Sequence, residues 1–237
     1  MTNPADFKQE AARRALEFVE SGMIVGLGTG STTAFFIDLL GEKINQGKLT
    51  NILAVPTSEA TAARARVLGI PLTTLTDLTK ERPGPVLDLA VDGADEVDPQ
   101  LNVIKGLGRA LLREKIVEIA TRRFVVIVDG SKLVPRLGSK VALPVEILPF
   151  EAGAHIAWLS TLGCRVEQWM ETDGSPVVTD NGNYLALCRF AAGIADPYAL
   201  ALQLAQRAGI IEHGLFLDMV SHVVVASANG VEYLMRD

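Results

Sequence analysis

Leu87-Asp88-Leu89-Ala90-Val91 runs directly into Asp92-Gly93-Ala94-Asp95-Glu96. The first five residues have the apolar content of a strand covered on both faces, which is the signature of a parallel sheet. The polar residues fall just beyond its carboxyl end, where open α/β sheets collect ligand groups. Lys105-Gly106 and Arg113-Glu114-Lys115 follow within the same stretch of chain. Acids, a lysine and a glutamate directly behind a buried strand point to an active site.

Outward from this strand, short β-branched runs alternate with helix-patterned stretches. The runs are 23–26, 52–55, 70–72, 87–91 and 124–128, and the helical stretches are 31–40, 58–68 and 108–120. This alternation predicts α/β class, a parallel sheet with helices on both faces. Gly69 stands where a helix ends, before Ile70 begins a further strand. After about Lys140 the pattern changes to strand 141–148, helix 151–162, strand 164–170, a turn at Asp180-Asn181-Gly182-Asn183, strand 184–189 and helix 197–207. A last strand near 210–217 would complete a split βαβ, ferredoxin-like unit. The hairpin around Asn229-Gly230 is expected to rejoin the first sheet. Domain boundaries follow: residues 1–135, completed by 215–237, and an inserted domain over 136–214.

The chain has 237 residues, 49% of them hydrophobic, and a formal charge of -6. That is enough apolar content for a large core, and it supplies no basic field for nucleic acid. No apolar run approaches the ~20 residues of a membrane span. Residues 1–19 are amphipathic without a signal-peptide core, so a cytoplasmic protein is expected. The two cysteines, Cys164 and Cys188, fit a reducing compartment as small buried hydrophobes.

Three segments carry candidate chemistry. Gly26-Leu27-Gly28-Thr29-Gly30-Ser31-Thr32-Thr33 lies between a strand and a helix, a place where backbone N–H groups and hydroxyls hold an anion. Its spacing is not the dinucleotide fingerprint, and no P-loop lysine follows. A plain βα turn with Ser31 as helix N-cap stands beside the phosphate reading. The acid tract Asp92, Asp95, Glu96 and Asp98 reads either as sugar-hydroxyl acceptors or as a solvated turn capping its own N–H groups. It lacks a Ca²⁺-loop pattern, and His155, His213 and His222 form no paired motif, so no metal is expected. On the third segment, periodicity assigns Leu111, Leu112, Ile116 and Ile119 to the covered helix face and makes Glu114 a surface glutamate. Lys105 and Lys132 read in isolation as solvated lysines, although Lys132 follows another strand exit.

The ordered blocks 28–32 (Gly-Thr-Gly-Ser-Thr), 56–58 (Pro-Thr-Ser), 91–96 (Val-Asp-Gly-Ala-Asp-Glu), Lys105-Gly106, 113–115, Ser131-Lys132, 143–146 (Leu-Pro-Val-Glu) and 179–183 (Thr-Asp-Asn-Gly-Asn) resemble the A-type ribose-5-phosphate isomerases. The resemblance covers nearly the whole chain. It implies a Rossmann-like domain with a ferredoxin-like insert, no cofactor, and a homodimer or homotetramer. By position it implies that Thr29, Gly30, Ser31 and Thr32 line the substrate site. Asp92, Gly93, Ala94 and Asp95 would form an acidic wall, Lys105, Gly106, Leu107 and Gly108 a second loop, and Lys132 a further contact. Glu114 would be the proton-transferring base. One departure stands out: the family loop usually runs Lys-Gly-Gly-Gly with small residues after it, whereas this chain has Leu107 and Arg109.

The implied reaction interconverts an aldose and a ketose phosphate through a cis-enediolate. Glu114 would move the proton, Lys105 would stabilise the oxyanion, Asp92 or Asp95 would assist ring opening, and Lys132 and residues 28–32 would share the phosphate. Two rival readings stand beside this one. One is a sugar-phosphate-sensing module, which would need a DNA-binding segment and would have no use for Glu114 and Lys105. The other is a sugar-phosphate deaminase or CoA transferase of related architecture.

Overall fold

The computed structural model describes residues 4–80 and 84–236, so Met1–Asn3 of the amphipathic start lie outside the described residues. The chain divides into two compact units, one built from Met1–Ala94, Arg113–Lys132 and Met219–Asp237, the other from Asp95–Leu112 and Leu133–Asp218.

In chain order the elements are α1 (Pro4–Ala15), β1 (Ile24–Leu27), α2 (Ser31–Asn45), β2 (Leu53–Pro56), α3 (Glu59–Val67), α4 (Leu75–Thr79), β3 (Leu89–Gly93), β4 (Glu96–Val97), β5 (Val103–Ile104), α5 (Leu111–Ile119) and β6 (Phe124–Asp129). There follow β7 (Leu143–Ile147), α6 (Ala152–Ser160), β8 (Arg165–Gln168), β9 (Tyr184–Arg189), α7 (Pro197–Ala205), β10 (Ile210–His213), β11 (Leu215–Phe216), β12 (His222–Ser227) and β13 (Gly230–Met235).

The first unit holds a six-stranded sheet in the order β13-β12-β6-β3-β1-β2. All neighbours are parallel except the β12–β13 hairpin, which returns to this sheet as expected. β6 is buried at every position, and β3 at all but Gly93. That is why these strands read as continuous apolar runs and not as alternating ones. One face packs Leu27, Phe36, Ile37, Leu40, Leu89, Val91, Val125 and Ile127 into one core with Ala11, Ala12 and Ala15 of α1. Each large aliphatic or aromatic side chain there contributes about 1.5–3 kcal/mol. α3 begins at Ser58, whose Oγ accepts the Thr61 N–H at 3.1 Å, and ends in left-handed Gly69 with Ile70 N donating to Ala65 O, a Schellman closure. The run 70–72, expected as a strand, makes only a single bridge, Ala54 to Leu72. Pro71 has no N–H to donate to a ladder, which keeps this edge short.

The second unit holds an antiparallel sheet in the order β10-β7-β9-β8, with α6 and α7 as its two crossovers. This is the split βαβ arrangement expected from residues 141–217. Val145, Ile147, Leu159, Ala186, Leu200 and Leu204 fill its core. A small sheet, β11-β5-β4, was not anticipated: its strands are two residues each, too short for any periodicity to declare them.

Candidate active site

In the first unit the expected residues gather at the carboxyl ends of β1, β3 and β6. β1 leads to Thr29–Thr32, β3 leads to Asp92–Ala94, and β6 ends in a turn, Gly130–Lys132, that sets the position of Lys132. Asp129 fixes that turn by accepting from both the backbone N–H and the hydroxyl of Ser131.

Asp92 organises the loop after β1. Its fully buried carboxylate accepts through Oδ1 from Thr29 N at 3.0 Å, Thr33 Oγ1 at 3.0 Å and Gly93 N at 2.6 Å. The loop can approach this closely only because residue 28 has no side chain: a Cβ on Gly28 would lie 2.0 Å from Asp92 Cγ. Gly30 then redirects the chain with φ 130 and itself occupies the N-cap position of α2, without a side-chain cap. Ser31 is therefore the first residue inside the helix and not its N-cap, which corrects the βα-turn reading. Its hydroxyl accepts instead from Lys8 Nζ at 2.9 Å. Thr29 Oγ1 lies 2.7 Å from Thr57 Oγ1 and 2.8 Å from Ser58 Oγ, and Thr61 Oγ1 donates to Gly28 O at 2.8 Å. A layer of hydroxyls thus underpins the loop.

Lys8 and Thr61 were missed by sequence reasoning, and Thr57 and Ser58 entered it only as part of the Pro56-Thr57-Ser58 block, although hydroxyls directly after a strand are a usable signal. Lys8 gave none, since it is one cation on an amphipathic helix, 23 residues from Ser31.

Glu114 overturns the periodicity argument. It is 1% exposed, and Lys115 and Glu118 are also buried, whereas Ile116 and Ile119 are 50% and 65% exposed. At about 100° per residue, Leu111, Glu114, Lys115, Val117 and Glu118 fall within one arc of about 160°, with Ile116 and Ile119 opposite. α5 has turned its charged face inward. Leu111, grouped by the periodicity with Ile116 and Ile119, is buried on the Glu114 side, so the 3.6-residue period alone does not fix the covered face. Arg113, beside Glu114, donates to Glu59 Oε1 at 2.8 Å.

The second unit carries the loop 105–108. Lys105 is 2% exposed, its N–H donates to Gly214 O at 2.9 Å, and its ammonium lies 5.5 Å from the Phe216 ring centroid, a cation–π distance. Asp95 clasps the loop from the other side. Its N–H donates to Ile104 O at 2.7 Å, and its Oδ2 accepts from Leu107 N at 3.0 Å. Because the Leu107 contact is made by backbone, the departure at this position leaves the clasp intact.

The acid tract divides by role. Asp98 is a turn capper, its Oδ1 accepting from Gln100 N at 2.9 Å and Asn102 N at 2.8 Å. Glu96 is wholly buried and accepts from the N–H groups of Gly138, Lys140 and Val141 at 2.5, 2.5 and 2.8 Å, tying β4 to the segment before β7. Asp98 and Glu96 thus cap backbone N–H groups, as the turn reading expects, but they are buried and not solvated. Among the described residues no group of three or more His, Cys, Asp or Glu is placed to hold a metal ion, and no helix is long and apolar enough to cross a membrane.

The sequence pattern of the family described as Ribose 5-phosphate isomerase A (phosphoriboisomerase A) matches residues 53–230. The chain belongs to this family. Ribose-5-phosphate isomerase A of Chloroflexus aurantiacus is 48% identical over 96% of this chain and 92% of its own length. The probable ribose-5-phosphate isomerase 2 of Arabidopsis thaliana is 47% identical over 96% of this chain and 85% of its own. Among solved structures, a D-ribose-5-phosphate isomerase in complex with phospho-erythronic acid superimposes with a TM-score of 0.93 at 42% identity, covering 99% of this chain and all of that one. The Methanocaldococcus jannaschii ribose 5-phosphate isomerase A follows at 0.90 and 37% identity, covering 98% and 100%. The family's α/β fold is the one described above.

Proposed function

We propose that the protein interconverts ribose 5-phosphate and ribulose 5-phosphate, with Glu114 as the general base. The observation that carries this reading is a family match spanning nearly the whole chain, joined to a helix that buries a glutamate where its apolar residues predict exposure. The 42% identical structure is in complex with phospho-erythronic acid, a phosphorylated sugar acid, and a phosphorylated sugar in this chain's site fits that ligand class.

In the proposed reaction the open-chain aldose presents C2–H beside the C1 carbonyl. The Glu114 carboxylate takes the C2 proton, and the electron pair moves to give a cis-enediolate. The same group returns the proton to C1, leaving the carbonyl at C2. Lys105 neutralises the charge that grows on oxygen, an effect of about 3 kcal/mol for a well-placed donor. Asp92 or Asp95 assists ring opening and moves the hydroxyl proton between oxygens. The phosphate sits on Thr29–Thr32, where the N-terminus of a 15-residue helix offers backbone N–H groups, with Lys132 as a cation. Lys8, already on the Ser31 hydroxyl, is a second cation for it. Gly93, Ala94, Gly106, Leu107 and Gly108 contribute backbone. The scheme uses no metal or cofactor, because protein cations supply the electrophile.

The names of the relatives favour this reading over the sensing module and the deaminase. We further propose a cytoplasmic homodimer or homotetramer. Free thiols suit a reducing compartment, and Ile116, Ile119 and Phe150 are exposed apolar groups that a second copy would cover. The direct test is isomerisation of ribose 5-phosphate followed by ketose formation. Thr32→Ala and Lys132→Ala should raise KM for the phosphorylated sugar while leaving the weak reaction of free ribose unchanged. Equal losses on both sugars would remove the phosphate assignment.

A further inference from the structure

Arg109 is the second departure from the family loop, and it adopts a backbone conformation that an arginine rarely takes. Its φ is 68, in the left-handed region, which disfavours a non-glycine residue by about 1 kcal/mol. Its side chain makes an arrangement that offsets this. The guanidinium pairs with both oxygens of Glu171, Nη1 to Oε1 at 2.5 Å and Nη2 to Oε2 at 3.2 Å, and lies 5.1 Å from the Trp169 ring centroid. A planar fork that meets a carboxylate while stacking on an aromatic face is a geometry open to arginine and not to lysine.

The partners are themselves fixed. Trp169 N donates to Leu185 O at 2.8 Å and Val177 N to Trp169 O at 2.9 Å, joining this arm to β9, while Glu171 N donates to Ser175 O at 2.7 Å. At the other end, Arg109 N donates to Gly106 O at 2.9 Å, closing the turn. The loop is thus tied at Lys105 by Gly214, at Leu107 by Asp95 and at Arg109 by the Glu171–Trp169 arm. Two of these ties are backbone contacts that any residue could make. The third belongs to the arginine.

We propose that Arg109 is a positioning residue: clamped by Glu171 and Trp169, it fixes the 105–108 backbone and, through it, the Lys105 ammonium. The proposal rests on the reading of that loop as a substrate contact. Because Lys105 acts on charge that develops during the reaction, a loosened clamp lowers kcat and leaves KM nearly untouched. The side chains of the pair are 41% and 40% exposed, so high salt weakens the clamp.

The test compares wild type, Arg109→Ala, Arg109→Gly, Glu171→Gln, the Arg109→Ala/Glu171→Gln double variant and Lys105→Ala, each in steady-state kinetics on ribose 5-phosphate. Arg109→Ala and Glu171→Gln should each lower kcat by about ten-fold with KM changed by less than about two-fold, and the double variant should be no slower than Arg109→Ala. Arg109→Gly, which relieves the left-handed strain, should be at least as stable as Arg109→Ala and equally slow. Raising salt should slow wild type but not Arg109→Ala. Wild-type kcat in Arg109→Ala, with or without a fall in Tm, overturns the proposal, as does a change confined to KM. If Lys105→Ala keeps wild-type kcat, the substrate-loop reading falls and the clamp with it; an inactive Lys105→Ala beside an unaffected Arg109→Ala removes the clamp alone.

Discussion

Asp92 shows how one residue sets the form of a site. A carboxylate that takes three donors on one oxygen holds a glycine loop flat against β3, and the contact demands the absence of a Cβ at position 28. Gly28→Ala must displace either the loop or Asp92, so it should destabilise the fold by about 3 kcal/mol and abolish turnover. A urea midpoint equal to that of wild type would contradict this. The thiols offer a second residue-scale test. Cys164 and Cys188 share an S–H contact that draws the Cys164 thiol below its ordinary range and pushes Cys188 up, burial adding to the latter. The thiolate is the reactive form, so iodoacetamide should label Cys164 in the native protein and spare Cys188 until unfolding. Peptide mass mapping with both labelled at equal rates would rule this out.

At the scale of elements, α5 carries the main lesson. Leu111 and Val117 share the buried face with Glu114 and Glu118, while Ile116 and Ile119 lie on the exposed one. Ile116→Ser and Ile119→Ser, on the exposed face, should therefore change the stability of the protomer by less than about 0.5 kcal/mol, whereas Val117→Ala should lower it by about 1–2 kcal/mol. Thermal unfolding of the three variants, at a dilution where the protomer is monomeric, settles the order, and a serine variant as damaged as Val117→Ala would restore the original reading. The strands were legible because β3 and β6 are covered on both faces, and the βαββα order of residues 141–207 was legible from turns such as Asp180-Asn181-Gly182-Asn183. The site was less so. Thr29–Thr32 and Asp92 follow strand exits, a local signal, but Glu114 contradicts its helix pattern and Lys8 reaches Ser31 from a distant helix. Only the ordered blocks of a family carried such non-local information.

For the whole molecule, the proposed reaction leaves every electrophilic duty to the protein's own cations. Dialysis against EDTA should leave turnover of ribose 5-phosphate unchanged, and a loss restored by a divalent ion would contradict the metal-free scheme. The exposed Ile116, Ile119 and Phe150 predict self-association, which sedimentation velocity would report as a dimer or tetramer. In the proposed reaction one buried carboxylate, Glu114, moves the proton between adjacent carbons. Its most direct test is ketose formation from ribose 5-phosphate by wild type and Glu114→Gln side by side, with matched circular dichroism spectra. With Glu114 as the base, the amide variant should lose about three or more orders of magnitude in kcat, in the range seen when an essential proton-transfer group is removed. Turnover equal to that of wild type would contradict it.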